Sequence, residues 1–136
     1  MVLVDTSVWI EVFRKGSRFE LESIAATDEI VTCLPVVQEV LQGFREERAF
    51  ALARDALLSF PVVESPLRTE VVVEAAQIYR AGRRAGLTIR SGVDCLIAAC
   101  AIRHHLTVLH RDRDFDLIAR VSSLDSRLVL PSGPRR

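Results

Sequence analysis

Short apolar runs, each too brief for a helix and mostly followed by a helix-spaced stretch, restrict the fold of this chain more than any other feature. They are MVLV at the N-terminus, EIVTCL at 29–34, FPVVE at 60–64, LTVLH at 106–110 and RLVL at 127–130. Runs of this length without polar alternation read as strands buried on both faces. Strands that alternate with helices form a mainly parallel sheet, joined by right-handed crossovers and covered on both sides. The expected fold is therefore α/β, a three-layer α/β/α arrangement around a mainly parallel central sheet of four to five strands.

The stretches between the runs support that reading. Thr6 or Ser7 can cap a helix over 8–13, with Gly16 stopping it. A second short helix is expected over 18–26. Pro35 suits the first turn of a helix ending near Gly43. Residues 46–59 are helical by composition and spacing. Between Leu67 and Gly86 apolar residues fall at helical intervals (Val72, Ala75, Ala76, Tyr79), and Gly82 weakens the pattern. Ser91 is placed to cap a helix running to about His105. Trp9 and Phe13, four apart on the first helix, are expected in the core.

With 136 residues and 49% apolar content, the chain suits one domain with a sizeable core. Residues 1–131 are expected to form that domain and 132–136 a frayed tail. No apolar stretch reaches the roughly 18 residues of a membrane-spanning helix. The three cysteines, Cys33, Cys95 and Cys100, form no CxxC pair; buried reduced thiols in a cytoplasmic protein are the expectation. Lys and Arg (18) balance Asp and Glu (18), so any grip on a polyanion must be local.

Acids punctuate this pattern where an α/β fold builds its sites. Asp5 ends MVLV, Glu39 lies in PVVQEVLQG, Asp94 opens VDCLIAACAI, and Asp112 and Asp114 follow LTVLH. In an open α/β sheet the functional crevice lies outside the carboxyl ends of the strands, so carboxylates from four segments are expected to meet there. Such a cluster repels itself unless it holds a cation, and hard oxygen ligands select Mg²⁺ or Mn²⁺. Helix N-termini are expected to favour ionised Asp5 and Asp94, against that repulsion. Taken singly, each acid has a plainer reading. Asp5 can cap a helix, Glu39 can complement a helix dipole, and Asp94 stands in capping-box spacing after Ser91. Asp112 and Asp114, flanked by Arg111 and Arg113, can form a solvated charge run. Four segments converging on one edge is what favours the metal site.

Other chemistries fit poorly. Asp112-x-Asp114-x-Asp116 opens like a calcium loop, but Leu117 stands at its glycine position. His104, His105 and His110 lack zinc spacing. GxxxxGK, GxGxxG and GxSxG are absent. An aspartyl-phosphate phosphatase or receiver normally needs a late lysine, and the only lysine is Lys15.

The segments MVLVDTSVWIEVF and RSGVDCLIAACAIRHHLTVLHRDRDFDLIA, with the stretch around Glu39, resemble the PIN-domain ribonucleases over essentially the whole chain, and among them the VapC toxin branch of bacterial toxin–antitoxin pairs. In this resemblance Asp5, Glu39, Asp94 and Asp112 match the acidic quartet, and Asp114 an additional acid. Asp5 and Asp94 match direct Mg²⁺ ligand positions, and Thr6 a hydroxyl near the metal. The resemblance implies a PIN-like fold and a Mg²⁺-dependent endoribonuclease, with Mn²⁺ able to substitute. It further implies translation arrest, a cognate antitoxin and a homodimer. A single-stranded loop of tRNA or another structured RNA is the expected target, since an exposed strand can be splayed across an open crevice. Arg90, Arg111 and Arg113, beside the acids, are candidates for steering the RNA backbone. The competing reading is a non-catalytic module of the same fold that binds RNA or protein.

Overall fold

A computed structural model describes residues 1–132. Five parallel strands form one sheet: β1 (Val2–Val4), β2 (Ile30–Cys33), β3 (Val62–Val63), β4 (Thr107–His110) and β5 (Asp125–Leu128), in the order β3-β2-β1-β4-β5. Among the described residues seven α-helices connect them: α1 (Thr6–Phe13), α2 (Leu21–Ile24), α3 (Leu34–Gln42), α4 (Glu47–Leu57), α5 (Thr69–Arg84), α6 (Gly92–Arg103) and α7 (Asp114–Arg120). The first two crossovers step outward from β1 to β2 and β3. The third returns past β1 to β4, and the fourth continues to β5. Right-handed crossovers running in opposite directions put their helices on opposite faces, which gives the expected three layers. The reversal falls between β1 and β4, a switch point where the carboxyl ends of two strands open a crevice.

The central strands are apolar because both faces are covered. Leu3, Val4, Val31 and Val108 are all at most 2% exposed. α6 is buried along most of its length, from Asp94 and Cys95 to Ala101. A helix apolar nearly all round belongs in the interior, and α6 packs against α5, α7, α3 and β4. All three cysteines are buried and free, as expected.

Several boundaries differ from the sequence reading for identifiable reasons. α1 begins at Thr6 because Asp5 itself is the cap, accepting from the Ser7 backbone N–H at 3.0 Å. The second helix shrinks to Leu21–Ile24, followed by a 3₁₀ turn at Thr27–Glu29. Its expected first turn is diverted: the Ser17 hydroxyl accepts from the Phe19 N–H, and the Arg18 carbonyl accepts from the Ser132 N–H at 2.7 Å. Ser132 is thus tied down, while residues 133–136 of the expected frayed tail lie outside the described residues. The last strand lies two residues earlier than RLVL because its register is set by pairing, Thr107 with Asp125 through His110 with Leu128. As an edge strand it is largely exposed, so apolarity did not mark it.

The buried face of α5 is Val71, Ala75, Ile78 and Gly82, while Val72 and Ala76 face outward. Both stripes satisfy helical spacing. Packing selects the one containing Gly82, because a side chain there would come within 2.6 Å of the buried Ile89. Both long helices end in a Schellman turn. After α5, Gly86 takes the left-handed conformation at φ 74°, and Leu87 N–H reaches the Gly82 carbonyl at 2.9 Å. After α6 the same turn is made by His105, at φ 55°, with Leu106 N–H on the Ala101 carbonyl. The helix therefore stops at Arg103, two residues before the expected end.

An L-residue with a side chain is strained at such a position and glycine is not. His105→Gly is expected to stabilise the protein by about 0.5–1 kcal/mol, measured as a higher denaturant midpoint at unchanged slope.

Candidate metal centre

Four chain segments converge at the β1–β4 switch point, each for a local reason. Asp5 leaves the end of β1, and its backbone N–H donates to the Leu109 carbonyl at 2.9 Å. Its Oδ2 caps α1 by accepting from the Ser7 N–H and hydroxyl. That hydroxyl also accepts from the Arg111 N–H at 2.9 Å, so Ser7 joins the carboxyl end of β1 to that of β4. Glu39 reaches in from the second turn of α3, and its Oε1 accepts from the Thr6 hydroxyl at 2.8 Å. Asp94 stands in the first turn of α6. Ser91 occupies the cap position, but its side chain makes no capping bond, so the capping-box reading of Asp94 has no counterpart.

Beyond β4 the chain folds around its own acids. The Asp112 N–H donates to His110 Nδ1 at 3.2 Å, and the Asp114 N–H to Asp112 Oδ1 at 2.9 Å. These turns start α7, a helix that the sequence reading did not expect. His110 is fully buried against Phe115, and burial lowers its pKa, so it acts as a neutral acceptor. Its role, and that of Ser7 beyond capping, were not foreseen. The available signals were a histidine closing an apolar strand and a serine two residues after an aspartate.

Carboxylate oxygens of Asp5, Glu39 and Asp94 lie within 4.8 Å of one another, and so do those of Asp94, Asp112 and Asp114. Asp94 belongs to both groups. All five expected acids therefore meet, with Thr6 held on Glu39. Asp5, Asp94 and Asp114 are 2%, 5% and 1% exposed. Each keeps one oxygen buried without a hydrogen-bond partner: Asp5 Oδ1, Asp94 Oδ2 and Asp114 Oδ1. Buried acceptors left unpaired are costly, and an all-oxygen set of this kind suits a hard divalent cation.

The three arginines part company. Arg90 lies on the rim, with Nη2 3.5 Å from Asp112 Oδ1 and Nε 3.5 Å from Asp114 Oδ1; its backbone N–H donates to Asp114 Oδ2 at 3.0 Å. Arg111 turns away: its guanidinium donates to the Val129 carbonyl at 2.6 Å and lies 4.8 Å above the Phe19 ring. Arg113 is exposed at the start of α7.

Burial decides the charge state of the pocket. Desolvation pushes Asp5 up to about 6, outweighing its bonds from Ser7. Asp94 is raised to about 8 by desolvation first, then by the charges of Asp5, Asp112, Glu39 and Asp114. At Asp5 the backbone N–H groups of the α1 N-terminus do favour ionisation, as expected, but desolvation outweighs them.

The PIN domain family matches residues 2–121. Ribonuclease VapC11 of Mycobacterium tuberculosis is 40% identical over 134 residues, covering 93% of this chain and 97% of that protein. VapC ribonuclease Mb1587 of Mycobacterium bovis shows the same identity and coverage. Among solved structures, VapBC2 from Rickettsia felis bound to a DNA fragment from its promoter superposes with a TM-score of 0.74 at 16% identity, covering 95% of this chain and 99% of that one. VapBC-5 of M. tuberculosis, a member of the VapBC family of toxin–antitoxin systems, gives 0.64 at 19% identity, with 94% and 96% covered. An α/β/α sheet with acids gathered at its switch point is the architecture of a PIN domain. The chain belongs to that family, in the branch of the VapC proteins.

Both raised pKa values mean that protonation favours the folded state when no metal is bound. Their contribution to stability is complete below the ordinary carboxyl value of 3.8 and is lost as pH rises through about 6 and about 8. Unfolding in chelator is expected to show stability falling across that window. Asp94→Asn should flatten its upper part, and added Mg²⁺ should remove most of the fall.

Proposed function

We propose that this protein is a divalent-metal-dependent endoribonuclease, the toxin of a toxin–antitoxin pair. The single observation that carries the reading is the shared Asp94. It joins two carboxylate groups in which Asp5, Asp94 and Asp114 each keep one buried oxygen without a hydrogen bond. A non-catalytic binding module has no use for carboxylates held ionisable at that cost. Relatives named as ribonucleases, 40% identical across nearly the whole chain, support the same reading.

Asp5 and Asp94 are the direct metal ligands, and Mg²⁺ fits their oxygens, with Mn²⁺ able to replace it. The cation supplies water activation and neutralises charge building on the phosphate. Glu39, Asp112 and Asp114 position that ion, a second ion or the attacking water. Thr6 fixes the Glu39 carboxylate, and Ser7 fixes Asp5. Arg90 stands where a phosphate backbone reaches the acids, and Arg113 is free to meet the strand further out. Arg111 is reassigned to holding the C-terminal segment. Water attacks the phosphorus in line and the P–O3′ bond breaks, which leaves the 3′-hydroxyl and 5′-phosphate ends that the family resemblance implies; no side chain serves as nucleophile. The target is a single-stranded loop of tRNA or another structured RNA in the cytoplasm, and its cleavage arrests translation.

Two apolar surfaces suit the protein partners. A groove of about 220 Å³ between α1 and α3, lined by Ile10, Phe13, Val40 and Phe44, has the character that accepts an amphipathic antitoxin helix. Leu34 and Val93, each 38% exposed, flank a cleft of about 230 Å³ beside Glu39 and offer a second copy of the chain a contact. Among the described residues no helix is long and apolar enough to cross a membrane.

Asp5→Asn and Asp94→Asn are each expected to abolish Mg²⁺-dependent RNA cleavage while leaving circular dichroism unchanged; cleavage retained in both would defeat the assignment. Thr6→Val removes only support to a carboxylate. It should raise the Mg²⁺ concentration for half-maximal cleavage about 10–100-fold, read from a metal titration. Expressed alone, the protein is expected to arrest growth, and co-expression of the reading frame beside it should restore growth.

A further inference from the structure

The outward stripe of α5 leads away from the acidic pocket, and we infer that it is the groove that holds the single-stranded RNA flanking the cut site, with a base stacked at Tyr79. The inference rests on the nuclease reading and deepens it. A groove of about 550 Å³ runs between α5 and the start of α6, past Val72, Ala76, Tyr79, Arg80, Arg90 and Leu96. Arg90 belongs to both places: it lines this groove, and its guanidinium lies 3.5 Å from Asp112 and Asp114. Arg90 thus stands between this groove and the pocket where the scissile phosphate must sit.

Its chemistry matches an unpaired nucleic acid strand. Such strands are held by aromatic rings under the bases and by cations along the phosphates. Tyr79 is the only tyrosine of the chain. It is half-buried, and the Arg83 guanidinium lies 5.2 Å from its ring centroid. Arg80 and Arg83 are exposed one turn apart, and the groove lining carries two arginines and no carboxylate among the described residues. Glu74 lies on the neighbouring face of the helix, alongside Arg80 and Arg84. In a chain of zero net charge, a local arginine row beside an acidic centre is the distribution a polyanionic substrate requires. The apolar walls, Val72 and Leu96, would also suit a second copy of the chain, but they do not account for the arginines around Tyr79.

The test uses the full chain carrying Asp94→Asn, so that RNA is not cut, and a fluorescent oligouridylate of about ten nucleotides, within the site size of single-strand binders. Fluorescence anisotropy is expected to show about tenfold weaker binding for Tyr79→Ala, with Tyr79→Phe close to the parent. Arg80→Ala, a change at an exposed position, should lower the slope of log affinity against log salt by about 0.7. In the cleaving background, Tyr79→Ala should raise KM and leave kcat in place. If both alanine variants bind like their parent while the wild type still cuts RNA, the groove inference is overturned and the nuclease reading stands. If the wild type cuts nothing but Tyr79→Ala still loses binding, the nuclease reading fails and the groove survives. Variants that change the sedimenting species without changing RNA affinity would make this face a contact between copies, which also overturns the inference.

Discussion

Carboxylate repulsion, contained at the carboxyl edge of a parallel sheet, is the constraint around which this molecule is organised. Five acids from four segments share a space in which oxygens of neighbouring residues lie within 4.8 Å. Left to themselves they would separate or take up protons. What holds them is the framework beneath: β1 and β4 hydrogen-bonded side by side, α6 buried in the interior, and Ser7 tying the two strand ends together. The rise of Asp94 to about 8 expresses that confinement. A surface cluster would relax into water, and this one cannot.

The same acids also serve the fold. Asp5 uses one oxygen to cap α1 and leaves the other unpaired toward the pocket. Asp112 receives the Asp114 N–H and so starts α7, while its backbone is held by His110. Capping and chemistry are thus not competing explanations for these residues. A carboxylate fixed by a backbone bond on one side presents its other oxygen in a set direction, which preorganises an ion site. Thr6 acts on Glu39 in the same way through one short bond.

Much of this was legible in the sequence, and the failures have physical causes. MVLV and LTVLH announced buried parallel strands, and the acids just beyond them marked the crevice. Those readings depend on burial and period, which the residues encode directly. Helical spacing over 67–86 marked α5 but not its buried face, because Val72, Ala76 and Tyr79 satisfy that spacing as well as Val71, Ala75 and Ile78 do. Only the approach of Ile89 to Gly82 decides between them, and that is a tertiary contact. β5 was misplaced because an edge strand takes its register from its neighbour. Arg111 was grouped with the site from adjacency in sequence, but an extended chain sends successive side chains in different directions. Its guanidinium packs on Phe19 instead.

Arg90 shows how the two halves of the charge problem meet. Without a divalent ion, the pocket needs some positive charge nearby. At 3.5 Å from two acids, an exposed guanidinium supplies it weakly, because solvent screens the pair. A weak pairing suits this position. In the nuclease proposed above, a strongly bound arginine would compete with the metal, whereas a solvated one would yield the acids to the ion and turn to a phosphate. The Arg90 backbone N–H donates to Asp114 Oδ2 at 3.0 Å, a bond that does not depend on the guanidinium. Negative and positive charge thus lie side by side at this edge of the sheet, with Arg90 between them.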